Sequence, residues 1–450
     1  MVDYDLPSKL LSHLSIAAEH VRSHDFIHIF SHHDADGVAA GSVLACMLQR
    51  LDIEYQVTFV PVMNDEVLLM MRDSHSKCIL MSDIGASYVD QLEGLEKDVI
   101  VLDHHNSDLV AGDIIYINPH LYGIDGMTSG CGSTLALMLA VTVDENNWDL
   151  VRYAFAGLAG DRQLINGFSG LNAYIGEEAK KRGYVSVIEG SLIPPGTLSQ
   201  SLYISTEPYI RGIGGSSVGV KTFLDEAGID QIKDFLDLTD DEKHRLSSMI
   251  AVKLLAQGVS VQTLEETART RYALEGLGMD AETLSDLFNA CGREKLGGIG
   301  VGICLGNKDS LAYARELNYN SKKDVIEATV ELDRRKVTPM ENIQFFDSTA
   351  SGFTGILCSI VMHFIGDPDK PTIGINFDGE VAKASARGTW DQLDRGIDLS
   401  VAMRTASESV GGQGGGHRIA SGANFPSIRG QEFLKNLDEI IGKQLISHAK

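Results

Sequence analysis

His32-His33-Asp34-Ala35-Asp36-Gly37 and Asp103-His104-His105 concentrate three aspartates and four histidines in nine positions. Each string follows an apolar, strand-like run, Phe26 to Phe30 and Val99 to Leu102. Asp34 and Asp36 stand two apart, so at the end of an extended strand their carboxylates share one face. Gly37 closes a turn that aims both at one point. Carboxylates that close repel each other unless a cation or a proton lies between them. The alternative use of such a string is helix capping, with Asp36 ahead of a helix that starts at Val38. Two further residues weigh against capping alone. Asp83 ends a third strand-like run, and Asp161 follows Gly157-Leu158-Ala159-Gly160, whose small side chains let a helix end come close. A mixed set of carboxylates and imidazoles suits Mn2+, Mg2+ or Zn2+.

The set fits two divalent cations about 3.5–4 Å apart, bridged by a carboxylate and a water. On this expectation Asp83 is the bridge. His32 and Asp34 complete the shell of one cation, and Asp36, His104 and Asp161 that of the other. The bridging water attacks phosphorus. His105 points at the phosphate oxygens, Asp103 orients a histidine from behind, and His33 is not a ligand. Cys131, in Ser-Gly-Cys-Gly-Ser, has no local basic partner to make it a nucleophile.

A second candidate lies far along the chain, in Gly411-Gly412-Gln413-Gly414-Gly415-Gly416-His417-Arg418. The composition predicts a loop whose successive backbone N–H groups face an anion. Ser385-Ala386-Arg387 sits on a preceding strand, and arginine offers a two-pronged grip on phosphate. Ser385, Arg387, the amides of Gly414, Gly415 and Gly416, and His417 are expected to hold a substrate phosphate. Arg387 and His417 thereby join Asp83, Asp103 and His105 in catalysis. Arg418 reads equally well as an ordinary surface charge.

The elements that must position these residues alternate. An amphipathic helix at 9–24 precedes strands at 26–30, 54–61, 77–81, 98–102 and 113–117. Helices at 37–50, 64–72, 86–95, 130–142 and 147–159 intervene or follow. Strands alternating with helices predict a parallel, doubly wound α/β sheet, which binds ligands at the carboxyl ends of its strands. The acidic and histidine strings all fall there. Beyond about 166 the rhythm is lost, Pro194-Pro195-Gly196 interrupts the chain, and 221–335 is mainly helical in pattern. Alternation returns near 342. The reading is an N-terminal α/β domain over 1–190, a mainly helical insertion over 191–335, and a smaller C-terminal α/β domain over 336–450. No repeat of 20–50 residues is evident.

The 450 residues exceed one ordinary core, in keeping with two or three domains. No run of about 18 apolar residues predicts a membrane span, and the first residues lack a secretory pattern. Six scattered cysteines without a Cys-x-x-Cys pair read as reduced thiols of a cytoplasmic protein. The net charge of -24 argues against broad nucleic-acid binding through a basic surface. Bound cations can still reverse the field locally for an anionic substrate.

The chain resembles the DHH phosphoesterase superfamily, named for Asp-His-His, here Asp103-His104-His105. The first motif of that superfamily looks like His32-x-Asp34-x-Asp36-Gly37, the second like Asp83 and the fourth like Asp161. Gly414-Gly415-Gly416-His417 resembles its DHHA1 domain. The likeness covers roughly 25–165 and 340–425. The segment from Leu198 to Gly215 and the helical middle are similar to archaeal RecJ-like nucleases, the GINS-associated nucleases among them. This resemblance implies an Mn2+-dependent exonuclease acting on single-stranded DNA or RNA. It also implies an active site in the cleft between the two α/β domains and a place in replication or repair beside GINS and the replicative helicase. The acidic balance departs from the expectation for a polynucleotide binder, so any basic lining must be local, with Arg211 and Lys221 as candidates. Two rival readings use the same features. One is a small-substrate relative: an oligoribonuclease, a cyclic-dinucleotide phosphodiesterase or a pyrophosphatase. The other is a replisome scaffold without catalysis.

Overall fold

The computed structural model describes residues 6–107, 112–164, 167–193 and 196–448. Pro194 and Pro195, read above as an interruption, lie outside them. The chain divides into two compact units, 1–190 with 270–320 and 191–269 with 321–450. The helical middle, read from the sequence as one connector, is therefore shared between the two.

The first unit is built on a parallel sheet of β1 (Phe26–His32), β2 (Glu54–Val60), β3 (Cys78–Ser82), β4 (Asp98–Leu102) and β5 (Ile115–Ile117). Its order is β2-β1-β3-β4-β5. All five residues of β3 are buried, and so are the middle five of β1. Strands covered on both faces need such continuous apolar runs rather than alternation. One apolar cluster fills each face. The first gathers α1 (Ser8–Arg22), α2 (Ala35–Arg50), α4 (Gly132–Val143) and α5 (Val151–Gly160). The second includes α3 (Asp65–Asp73) and Val89, Leu92 and Leu95. The segment 86–95, expected as one helix, is a single α turn at Val89–Leu92 between two 3-10 turns.

β1 lies between β2 and β3, so the winding of the sheet reverses there. That reversal opens a crevice at the carboxyl ends of β1 and β3. Asp34 and Asp36 follow β1, and Asp83 follows β3. From the middle of the chain, α6 (Ala281–Arg293) returns to pack on α2 and α5. A small sheet of β6 (Val185–Ser191), β7 (Arg269–Leu274) and β8 (Met279–Asp280) was not anticipated, and β7 and β8 lie in a stretch that reads as helical.

The second unit carries a mixed sheet of β9 (Thr338–Pro339), β10 (Gln344–Asp347), β11 (Thr372–Asn376), β12 (Val381–Arg387), β13 (Gln413–His417) and β14 (Ala420–Pro426), in the order β13-β14-β12-β11-β10-β9. Its apolar face packs on α8 (Leu399–Glu408) and α9 (Gly430–His448), while α7 (Thr354–Ile360) packs on β11 and β12. The glycine-rich stretch expected as a loop is instead the edge strand β13, paired antiparallel with β14. Only Arg418 and Ile419 separate the two, so hairpin pairing overrides the loop preference of the glycines. Gly416 at φ 136° takes a backbone conformation that suits glycine alone. All six cysteines are free and buried. Among the described residues, no helix is long and apolar enough to cross a membrane.

Candidate metal centre

β1 ends in His32, and Asp34 caps α2 by accepting the amide N–H of Gly37 at 3.0 Å. The capping considered for Asp36 thus belongs to Asp34. Asp36 instead reaches the start of another helix. Its Oδ2 accepts from Gly132 N at 2.6 Å and its Oδ1 from Ser133 N at 3.0 Å, at the first turn of α4. These two helix-N-terminal amides fix the Asp36 carboxylate in place and satisfy one lone pair on each oxygen, although the residue is fully buried. Each carboxylate oxygen keeps a second lone pair for another partner.

Asp83 leaves β3 with φ 59°, a left-handed conformation in which aspartate is enriched. That twist turns the side chain into the cluster. His32 Nδ1 stands 3.0 Å from Asp34 Oδ2 and 3.4 Å from Asp83 Oδ2. His104 Nε2 stands 3.2 Å from both Asp83 Oδ1 and Asp161 Oδ2. Asp83 is the common member. The structure therefore brings together His32, Asp34, Asp36, Asp83, His104 and Asp161. Among the described residues, His33 joins no group of metal-ligating geometry.

Two residues behind the cluster orient its histidines. His104 Nδ1 faces the carbonyl of Gly126 at 2.7 Å, leaving Nε2 for the carboxylates. Asp103 is buried and receives Ala86 N–H at 2.7 Å, while its Oδ1 holds His105 Nδ1 at 2.8 Å. Asp103 thus positions His105, whose side chain is 55% exposed.

The electrostatics are those of a site short of positive charge. Burial opposes the proton on His32, yet Asp34 and Asp83 outweigh it and raise the pKa to about 10. Burial likewise opposes the proton on His104, and the carboxylates led by Asp83 raise it to about 11. Burial and then the charge of Asp36 push both Asp83 and Asp161 upward. Burial would raise Asp34 too, but His32 holds it down at about 2. Carboxylates crowded in a buried place take up protons when no cation neutralises them. Three atoms accord with the shortage: His32 Nδ1, Asp83 Oδ2 and Asp161 Oδ2 are buried, and although ionic neighbours stand 3.0–3.4 Å away, none of these contacts has hydrogen-bond geometry. Buried polar atoms are rarely left so. Imidazole nitrogens and carboxylate oxygens that converge without hydrogen bonds fit a divalent cation.

In the second unit, Ser385 and Arg387 lie on one face of β12. A Cβ on Gly355, at the start of α7, would stand 3.4 Å from Arg387 Nη2 and 3.8 Å from Ser385 Oγ. Arg387 Nη1 donates to the carbonyl of Ala386 at 2.9 Å. Gly415 pairs with Gly422, and Gly422 with Ser385. His417 pairs with Ala420, and Ala420 with Arg387. Residues opposite one another in a ladder share a face, so Gly415 and His417 share that of Ser385 and Arg387. Gly414 and Gly416 fall on the other face. Arg418 is bound to Asp398 at 2.9 Å. The two candidates for basic lining are also engaged. Arg211 grips Asp333 with Nε and Nη2, each at 2.7 Å, and Lys221 pairs with Asp225 at 2.6 Å.

Two family models match this chain: the DHH family, N-terminal domain, over 26–159, and the DHHA1 domain over 347–443. A protein of Methanocaldococcus jannaschii described as uncharacterized is 34% identical over 429 residues, spanning 93% of this chain and 94% of that protein. The chain belongs to the DHH family. Its fold is similar to that of exonuclease RecJ bound to manganese, with a TM-score of 0.57 at 15% identity over 97% of this chain and 96% of the other. It is similar to RecJ in complex with Mn2+ from Thermus thermophilus, at 0.58 and 15%, covering 98% of this chain and 56% of that one. It is also similar to CDC45 from Entamoeba histolytica, at 0.60 and 11%, over 96% and 99%. At these identities the likeness is one of fold.

Sequence reasoning anticipated the close approach at Gly157 in this DHH site but missed the one at Gly132. A Cβ on Gly157 would stand 2.2 Å from Asp36 Oδ1, and one on Gly132 would stand 2.5 Å from the Cβ of Asp83. Only glycine lets α4 and α5 come this close. The run Ser129-Gly130-Cys131-Gly132-Ser133 is the local signal for such an approach. Cys131 itself is fully buried beside Asp36 and Asp161, and burial pushes its thiol far up, away from nucleophile chemistry.

Proposed function

We propose that this protein is a metal-dependent hydrolase of phosphodiester bonds, acting as an exonuclease on single-stranded DNA or RNA. The observation that carries the reading is the convergence of His32 Nδ1, Asp83 Oδ2 and Asp161 Oδ2, buried and without hydrogen bonds, in a cluster of imidazoles and carboxylates. On this reading His32, Asp34 and Asp83 hold one cation, and Asp36, Asp83, His104 and Asp161 hold a second. When bound, such cations supply Lewis acidity and acidify a water to act as nucleophile at neutral pH. The chain's own groups do the rest. The amides of Gly132 and Ser133 hold the Asp36 carboxylate in position. The Gly126 carbonyl keeps His104 Nε2 facing the carboxylates. Asp103 holds His105 as a donor toward a phosphate oxygen. The hydrogen bond to Asp103, opposed by burial, raises the affinity of His105 for its proton.

Arg387, Ser385, His417 and the backbone of Gly414 to Gly416 grip a substrate phosphate in the second unit. Of these, Ser385, Arg387, Gly415 and His417 share one sheet face. Manganese is the favoured ion, with magnesium as the alternative; RecJ structures of similar fold were solved with manganese and with magnesium. A cytoplasmic place in replication or repair, beside GINS and the replicative helicase, completes the reading. The free, buried state of every cysteine accords with it.

The test is hydrolysis of single-stranded DNA and RNA 20-mers with Mn2+ or Mg2+, labelled at either end in turn. Stepwise release of mononucleotides supports the exonuclease. Cleavage confined to di- to pentanucleotides moves the assignment to the small-substrate relatives. Absence of metal-dependent hydrolysis, with GINS bound, makes the protein a scaffold.

A further inference from the structure

The same sheet face extends past the glycines. Gln413 pairs with Asn424, Asn424 with Lys383, and Lys383 with Asn376. This row is two residues along each strand from Gly415, Gly422 and Ser385, and four from His417, Ala420 and Arg387. At about 3.4 Å per residue, Lys383 and Arg387 stand about 14 Å apart along β12. Ala382, Ala384 and Ala386, which alternate with them, are buried against the core. Gln413, Lys383 and Asn424 are exposed. Their side chains make no hydrogen bond or ion pair among the described residues, whereas Arg211, Lys221 and Arg418 are all engaged by carboxylates.

The floor between the two rows is shaped unevenly. A Cβ on Gly374 would meet Phe346 at 2.7 Å and Cys358 at 2.8 Å, so α7 and β10 close that end. A Cβ on Gly415 would meet nothing within 4 Å. The floor is open toward the edge strand, where Gln413, Gly415, Gly422 and Asn424 line a shallow concavity. An ammonium beside two primary amides, each with donors and an acceptor, suits a phosphate with its sugar or base alongside.

We propose that Lys383, assisted by Asn424 and Gln413, binds a second phosphate of the substrate, distinct from the one held by Arg387 and His417. This rests on the nucleic-acid reading above and narrows it to oligonucleotides with at least two phosphodiesters. Lys383 is a positioning residue for the bound strand.

Lys383→Ala, Lys383→Arg and the parent protein are compared on a single-stranded DNA decamer and on bis(p-nitrophenyl) phosphate, with Mn2+. The ratio of KM for the decamer to KM for the small diester should rise about fivefold in Lys383→Ala and return toward the parent value in Lys383→Arg. Decamer affinity measured against salt should show a log–log slope shallower by about 0.7, the loss of one phosphate contact on a single strand. An unchanged ratio and slope overturn the second phosphate site while leaving the hydrolase reading intact. A parent protein that cleaves neither substrate overturns the hydrolase reading and this inference together.

Discussion

Asn289 Oδ1 accepts the backbone N–H of Ala35 at 3.0 Å, across 254 residues of sequence. Ala35 lies between Asp34 and Asp36, so α6 holds the backbone that aims both carboxylates. Three residues on, Gly292 lies so close to the carbonyl of His33 that a Cβ there would stand 1.6 Å from its oxygen. Asn289→Ala should strand the Ala35 amide, costing about 1–3 kcal/mol. It should also weaken Mn2+ affinity, whereas Asn289→Asp, which keeps an acceptor, should do less harm. Thermal unfolding with and without Mn2+ measures both effects, and equal behaviour of the two variants would refute the role of the acceptor.

Asp83→Asn separates charge from backbone, because asparagine also tolerates φ near +60°. Removing one buried negative charge beside Asp36 should raise the melting temperature in EDTA. It should abolish the stabilisation by Mn2+, which for the parent at 100 times Kd is about 2.7 kcal/mol, and turnover should vanish. A variant that still hydrolyses with Mn2+ at near-parent rates would remove Asp83 from the metal shell.

Gly157→Ala forces a Cβ to 2.1 Å from Ser133 Oγ and 2.2 Å from Asp36 Oδ1. Overpacking of this kind costs about 1–3 kcal/mol, and here the displaced group is a proposed ligand. Metal affinity should fall along with stability. Gly94→Ala, with nothing within 4 Å of its Cβ, is the control and should stay near neutral. Isothermal titration with Mn2+ distinguishes the two.

His28 predicts a pH dependence remote from the metal centre. Its ring is buried, with Nδ1 2.9 Å from Ser74 Oγ and Nε2 2.8 Å from Thr58 Oγ1. Burial, then the charge of Lys97, lowers its pKa from 6.5 to about 4. The unfolded chain therefore binds a proton in a range where the folded one does not. Stability is full above pH 6.5 and declines as pH falls toward 4, by at most about 3 kcal/mol. Urea unfolding at pH 7 and pH 5 should show this loss in the parent and a flatter response in His28→Asn. Identical slopes would assign the acid sensitivity elsewhere.

Arg211 holds the largely buried Asp333 with two bonds and shares it with Tyr209. Arg211→Ala should destabilise by about 1–3 kcal/mol by leaving that carboxylate unpaired. Arg211→Lys should rescue only in part, since an ammonium lacks the planar fork. Chemical denaturation reads the order of the three proteins.

What the sequence disclosed follows from range. Strand ends at His32, Ser82 and Leu102 were legible because apolar runs stop abruptly at acidic or histidine residues. Local periodicity fixed most elements of the first unit to within a few residues. The partners of those side chains were not legible. Gly126 lies 22 residues from His104, Gly132 lies 96 from Asp36, and Asn289 farther still. No local pattern announces a backbone carbonyl or amide that will face a side chain across the fold. The edge strand β13 failed for the opposite reason: glycine carries a loop preference, and only its neighbour β14 outweighs it.

The first unit is discontinuous, with 270–320 folded back onto 1–190. The chain consequently passes from one unit to the other three times. An N-terminal fragment that stops near 190 carries every proposed metal ligand and yet lacks Asn289 and Gly292. Such a fragment should give the composition of the site without its rigidity. A protease cut in 191–269 should leave both halves associated, because each end of the severed segment is still anchored in folded structure. Anyone dividing this protein for separate study has to keep 270–320 with the N-terminal part, joined by a replacement linker.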